Sequence, residues 1–337
     1  FGLSVIPEHR GRGLAGLLMD TAAALARTEG AEDLIIHSTQ RAQGFFKRVK
    51  LAASQSEPAR RDKTLRFLAV MDLLRKGTAG SLPGRLEGTR TLIVPGLFGN
   101  HQPDAFGGNL RRMHSLGLRG ETIGINTEGR AEEGRLAIEE AVRRSPDPVV
   151  LVGHSRGGVL VHDWYRNASA EFKAKVARLV LIQAPLSGTA YADWVLGSWW
   201  RRLVVRCLGW RYRADLAATA RSMTPKVRAA VLNALPPWSP GDLAKVWVLR
   251  SVKPPGRGFY GRHAGLLKAL GAPESDGIVP ASAAVVAGAA DILLQDVDHQ
   301  NVVLQRPGWL KRWRGYSPHP DYDAGDITEA LLRLLFR

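Results

Sequence analysis

From about residue 88 onward the sequence predicts an α/β protein, a mainly parallel sheet covered by helices on both faces. Three observations carry this. Short apolar runs alternate with helical patterns along the chain. Where a run is continuous, as in Val149-Val150-Leu151-Val152, it suits a strand buried on both faces. That same run passes through Gly153-His154-Ser155-Arg156-Gly157-Gly158 straight into a helical pattern, a sharp strand-to-helix join.

Taken in order, the expected strands are 91–94, 122–125, 149–152, 179–182, 246–249 and 292–297, with helices over 106–116, 130–143 and 159–168. The stretch Gly77-Thr78-Ala79-Gly80-Ser81-Leu82-Pro83-Gly84 is small and proline-bearing, so residues 78–87 are expected to link a segment 1–77 to a domain 88–337. Residues 64–70 suit either a strand or the start of a helix reaching Leu74. No internal repeat or low-complexity tract interrupts the pattern.

Composition narrows the class. The 337 residues are 45% hydrophobic and 23% charged, the balance of a soluble globular protein. No apolar run reaches the roughly 18 residues of a membrane span. The net charge of +16 comes mostly from arginines spread along the chain among acids. No aromatic-basic nucleic-acid motif accompanies them, so a solvated basic surface is expected and a nucleic-acid partner is not. The single cysteine, Cys207, excludes an internal disulfide, and its apolar-aromatic setting suggests a packed residue. The chain opens on strand-like Phe1-Gly2-Leu3-Ser4-Val5-Ile6 without a basic n-region or cleavage site, and a cytoplasmic location is expected.

Chemistry concentrates at Gly153-His154-Ser155-Arg156-Gly157, a G-x-S-x-G sequence between strand and helix. Such a turn lifts a serine hydroxyl clear of the sheet at a helix N-terminus. A serine hydroxyl needs a base, and an imidazole base needs a third group to hold its tautomer. In open parallel sheets these groups sit just beyond the carboxyl ends of the strands. His299 follows the last expected strand, in Asp298-His299-Gln300-Asn301, and is the candidate base. His263 and His319 are weaker by position, and His154 reads as a structural hydrogen-bonding residue. Asp276, in Glu274-Ser275-Asp276-Gly277-Ile278-Val279-Pro280, is the candidate acid, with Asp291, Asp296 and Asp298 as rivals read as local caps and turn formers. The loop Pro95-Gly96-Leu97-Phe98-Gly99-Asn100 follows the first strand. One of its N–H groups, that of Leu97 before that of Phe98, would pair with the N–H of Arg156 to hold an oxyanion.

Together the Pro95-Gly96-Leu97, Gly153-to-Gly158, Ser275-to-Val279 and Asp298-His299 motifs resemble the bacterial lipase/esterase branch of the α/β-hydrolase fold. The resemblance implies a serine ester hydrolase without a cofactor or metal, acting on small-molecule or lipid-like esters through Ser155, Asp276 and His299. It also implies a cap or lid, placed at about 186–240. Six aromatic residues there, Trp194, Trp199, Trp200, Trp210, Tyr212 and Trp238, form either an apolar underside for acyl chains or part of an ordinary core. Trp199-Trp200-Arg201-Arg202 also suits contact with an anionic lipid surface.

The first segment carries a different signature. A strand ending at Pro7, the turn Glu8-His9-Arg10-Gly11-Arg12-Gly13-Leu14-Ala15 and an apolar helix face of Leu14, Leu17, Leu18, Ala22 and Leu25 form an anion cradle. With Ser38-Thr39 and Phe45-Phe46 further on, residues 1–77 resemble the C-terminal half of the GNAT acyl-CoA N-acyltransferases. The resemblance implies acetyl-CoA held at Arg10, Gly11, Arg12, Gly13, Leu14 and Ala15, and N-acetyl transfer as the alternative activity.

Overall fold

The computed structural model describes residues 58–102, 104–304 and 323–336. The chain divides into two units, Phe1–Ser81 and Leu82–Arg337. In the first unit the described element is a helix, α1 (Pro58–Arg75), so the run 64–70 is helical. The expected acetyl-CoA residues, Arg10 to Ala15, lie outside the described residues, as does His319.

The second unit is built on a six-stranded, wholly parallel sheet: β1 (Arg90–Val94), β2 (Arg119–Thr122), β3 (Val149–His154), β4 (Val176–Ile182), β5 (Val246–Val252) and β6 (Ala290–Gln295) in the order β2-β1-β3-β4-β5-β6. The registers align the carboxyl ends of the strands along one rim: Val94 lies opposite Gly153, His154 opposite Ile182, and Val252 opposite Gln295. The central strands are apolar at both parities, and Val149, Val150, Leu151, Leu179, Val180 and Leu181 are all fully buried. Both faces are therefore covered, as parallel sheets require.

On one face, α3 (Ala131–Arg144) and α4 (Arg156–Asn167) bury Ile138, Val142, Val159, Leu160 and Trp164 against Leu92, Val94, Leu151, Leu181 and Val248. At about 25 cal/mol per Å² of apolar surface, each large side chain buried there contributes roughly 1.5–3 kcal/mol. α2 (Gly107–Ser115) pairs with α12 (Ala324–Leu335) through the Asn109 amide, which donates to Thr328 Oγ1 at 2.7 Å and to the carbonyls of Val302 and Ala324. Arg112 and Arg333 close on the buried Glu329 at the same seam. Between β3 and β4 lies α5 (Ala170–Lys175); α11 (Phe259–Ala269) lies between β5 and β6.

Three expectations shift. The second strand was expected at 122–125 but runs Arg119–Thr122. Among the described residues it is an edge strand bonded only to β1, and its residues are exposed or half-buried, so no apolar run marks it. The apolar Ile123 and Ile125 are buried beyond its end, in the loop that follows. The last strand spans Ala290–Gln295 rather than 292–297, because Asp296 turns the chain at φ 59°. The helix expected from 159 begins at Arg156, with Gly157 and Gly158 inside its first turn.

The region 186–240 folds as helices α6 (Ala190–Leu196), α7 (Trp199–Tyr212), α8 (Leu216–Ser222) and α9 (Pro225–Ala234), followed by the one-turn α10 (Pro240–Leu243) before β5. Thr189 and Asp215 cap α6 and α8 by accepting backbone N–H bonds, and Pro225 starts α9. The Arg228 guanidinium ties α9 down, gripping Asp163 on α4 through both oxygens and donating to the Leu186 carbonyl. Among the described residues no helix is long and apolar enough to cross a membrane.

Candidate active site

Ser155 stands between β3 and α4 with φ 52° and ψ −125°, a conformation costing about 1–3 kcal/mol that the surroundings must impose. The neighbouring glycines show how. A Cβ on Gly157 would overlap the carbonyls of Val94 and Pro95, and one on Gly158 would overlap the Ala184 side chain. A Cβ on Gly153 would meet the Gly157 and Gly158 backbone within 2.8 Å. Without side chains, helix α4 closes onto the ends of β1 and β3, and Ser155 is held at the crest. Its N–H donates to the Ile182 carbonyl at 2.8 Å.

His299 lies on the loop beyond β6, its Nε2 2.9 Å from Ser155 Oγ and its Nδ1 2.7 Å from Asp276 Oδ2. Nδ1–H therefore donates to the carboxylate, and Nε2 presents a lone pair to the serine hydroxyl. That tautomer is the one a general base needs. Asp276 is buried, and its second oxygen, Oδ1, accepts from the backbone N–H groups of Ile278 and Val279 at 2.9 and 2.7 Å. Both oxygens are thus assigned, and the carboxylate cannot rotate. Gly277, at φ 97°, makes the turn where a side chain would strike the Tyr260 backbone. The His299 N–H donates to the Asp276 carbonyl at 3.1 Å, and Thr189 Oγ1 anchors the same loop at the Ile278 carbonyl.

The rival carboxylates have other partners. Asp291 forms a two-oxygen ion pair with Arg250 on the adjacent strand, rather than a local cap. Asp296 pairs with Lys253. Asp298 accepts from the N–H groups of Gln300 and Asn301, shaping the His299 turn; burial raises its carboxyl to about 6. His263 donates from Nδ1 to the Phe259 carbonyl on its own helix.

His154 is structural. Its Nε2 lies 3.1 Å from the His299 carbonyl and 3.2 Å from Gln183 Oε1. Both partners are acceptors, so Nε2 carries the proton. Burial, reinforced by His299 nearby, lowers its pKa to about 3 and keeps it neutral. Gln183, itself at φ 47°, donates to Ser251 Oγ and the Asp298 carbonyl, so one buried amide joins the ends of β4, β5 and the His299 loop.

The loop after β1 meets the serine directly: a Cβ on Gly96 would lie 2.8 Å from Ser155 Cβ. Of its two candidate donors, Phe98 is committed, its N–H donating to Glu128 Oε1 at 2.6 Å. The N–H groups of Leu97 and Arg156 form no hydrogen bond among the described residues. Arg156 N–H belongs to the first turn of α4, where helix geometry leaves donors without intrahelical acceptors. Two uncommitted donors beside a serine hydroxyl can hold a negatively charged oxygen.

Glu128 escaped the sequence reading. It is 3% exposed and accepts from Phe98 N–H and from Thr127 Oγ1 at 2.6 Å, while the buried Arg156 side chain donates to the Thr127 and Gly129 carbonyls on either side of it. Burial lowers the Arg156 pKa and the Glu128 charge opposes that. The Ser155 turn and the loop after β1 are thus both tied to the turn that carries Glu128. Its signal is the turn Asn126-Thr127-Glu128-Gly129, hidden behind the strand expected at 122–125.

This architecture is the α/β-hydrolase fold. The chain is similar to the crystal structure of a metagenomic carboxyl esterase, with a TM-score of 0.62 and 18% identity over 76% of this chain and 77% of that one. It also aligns with a mature Bacillus licheniformis lipase, with a TM-score of 0.49 and 19% identity over 62% of this chain and 84% of that one. Residues 1–50 match the family model of the acetyltransferase (GNAT) family. No curated protein sequence matches the chain.

Proposed function

We propose that this chain is a serine hydrolase of carboxylic esters. The observation that carries the reading is the bonded series Ser155 Oγ, His299 Nε2, His299 Nδ1 and Asp276 Oδ2, at 2.9 and 2.7 Å, beside two uncommitted backbone donors. Ser155 Oγ attacks the ester carbonyl carbon while His299 Nε2 takes its proton. The former carbonyl oxygen, now negative, is held by the N–H groups of Leu97 and Arg156. The imidazolium, steadied by Asp276, returns the proton to the departing alkoxide, leaving an acyl-serine. Water, deprotonated by His299, attacks the acyl carbon, and collapse releases the acid and restores the serine. No cofactor enters these steps. The fold it shares with a carboxyl esterase supports the choice of ester substrates.

The test is hydrolysis of p-nitrophenyl esters together with labelling by a fluorophosphonate. Wild type is expected to turn over and label, and Ser155→Ala to lose both while keeping its circular dichroism spectrum. An active Ser155→Ala variant would overturn the assignment.

The family-model match over residues 1–50 favours one second reading, acetyl-CoA binding through the backbone of Arg10, Gly11, Arg12, Gly13, Leu14 and Ala15. Calorimetric binding of acetyl-CoA that Gly13→Glu abolishes would support it; no heat of binding would remove it.

A further inference from the structure

The helix α7 turns its apolar residues outward. Trp199 is 72% exposed and Trp210 86%, and Trp200, Leu203, Val204 and Leu208 are also exposed, as is Cys207, which the sequence had suggested was packed. The three tryptophans therefore do not form an apolar underside; Trp194, half-buried against Tyr191, and Trp238, stacked on Tyr165, do pack inward. At 100° per residue Trp199, Trp210, Leu203, Cys207 and Trp200 form one continuous strip. Arg202 and Arg206 border it on one side and Arg211 on the other. From Trp194 to Ala214 there are five arginines and no aspartate or glutamate. Beside the helix, Trp199, Arg202, Arg206 and Arg221, together with Asp215, line a groove of about 560 Å³.

We propose that α7 seats the protein on an anionic lipid surface. Exposed tryptophans edged by arginines match the layered chemistry of that surface, rings at the acyl boundary and guanidinium groups at the negative headgroups. An isolated surface tryptophan needs no explanation, but three in one strip form a patch that water alone disfavours. The helix is also joined to the chemistry. Tyr212 in its last turn packs on Phe98 and His101, ring centroids 5.0 and 4.7 Å apart, and Phe98 follows Leu97 in the oxyanion loop. Docking would bring the rim of the sheet carrying Ser155 towards lipid esters. This last consequence rests on the ester-hydrolase reading, whereas docking itself does not.

The test uses the full chain carrying Ser155→Ala, so that no lipid is consumed. Its sedimentation with phosphatidylglycerol-containing vesicles is compared with that on pure phosphatidylcholine vesicles. Binding is expected to be at least tenfold tighter to the anionic vesicles, to weaken with added salt, and to fall at least tenfold in Arg206→Glu/Arg211→Glu and in Trp199→Ser/Trp210→Ser. Equal binding to both vesicles, no binding, or full binding by either variant would overturn the proposal. So would a vesicle-free dimer, seen by light scattering, that the tryptophan variant dissolves, since a second copy would then own the strip. Ester turnover by the two variants in the Ser155 background separates the readings: loss of vesicle binding with soluble-ester hydrolysis intact supports docking, and loss of both points to a misplaced rim and overturns it.

Discussion

The rim of the sheet and the helical segment above it follow opposite rules. At the rim, every candidate residue is held by backbone. Asp276 is pinned by two N–H groups, Ser155 by glycines that admit no side chain, and His299 by its own N–H on the Asp276 carbonyl. On α7 the tryptophans meet solvent, while Arg201 and Arg202 donate to the Trp194 and Leu196 carbonyls of the preceding helix. The contrast teaches where each kind of function is written. A reacting group must be placed to a fraction of an ångström, so its neighbours are constrained in type and spacing. A docking surface requires only composition and a face.

The comparison predicts the largest loss where placement is tightest. Asp276→Asn presents an amide to His299 and favours the wrong imidazole tautomer. Turnover is expected to fall about 10⁴-fold, with the fold unchanged by circular dichroism, as steady-state kinetics on soluble esters would show. A fall of less than tenfold would mean that the carboxylate does not orient the imidazole and that the rim is looser than its geometry.

Glu128 asks whether the loop after β1 needs the carboxylate that holds the Phe98 N–H. Glu128→Ala frees the Phe98 N–H and the loop end, and kcat is expected to drop about 10²-fold, the scale of a lost oxyanion donor, with KM little changed. Glu128→Gln keeps an oxygen for Phe98 and should recover most of the rate. Equal damage from both variants would assign the effect to charge against Arg156 instead of to loop position.

How much of this was legible follows from the same contrast. The serine turn, Asp276 and His299 could be found because glycine, short loops and strand ends leave a trace in sequence. Leu97 could be favoured over Phe98 but not separated from it, since the deciding contact comes from Glu128, thirty residues away. Glu128 itself was hidden by an edge strand without an apolar run. The outward turn of Trp199, Trp200 and Trp210 was invisible because tryptophan among leucine and valine looks the same whether it faces a core or a membrane. Cys207 misled for that reason too.

His154 sharpens the rim side of the comparison through pH. Its folded pKa of about 3 lies below the ordinary histidine value, so the unfolded chain binds a proton near 6.5 while the folded one does not. Stability is complete above about 6.5 and is lost as pH falls towards 3. By pH 5 the cost is about 2 kcal/mol. His154→Gln, which can still donate to the His299 carbonyl, should flatten that slope in urea titrations between pH 7 and 5. An unchanged slope would place the acid sensitivity in other groups; Asp298, with its raised pKa, acts in the opposite direction over part of this range.

The smallest expected effect lies on α7. Trp210→Ser removes the most exposed large hydrophobic side chain among the described residues, one that folding hardly desolvates, so thermal stability should change by less than about 0.5 kcal/mol. Soluble-ester turnover should not change, because α7 reaches the oxyanion loop through Tyr212, on the opposite side of the helix from Trp210. A drop of several degrees in Tm would show that the ring packs in solution and that the strip is part of a core. Unchanged stability together with weakened vesicle binding would separate the two regions fully: one whose residues cannot change without loss of chemistry, and one whose residues can change freely until a surface is offered.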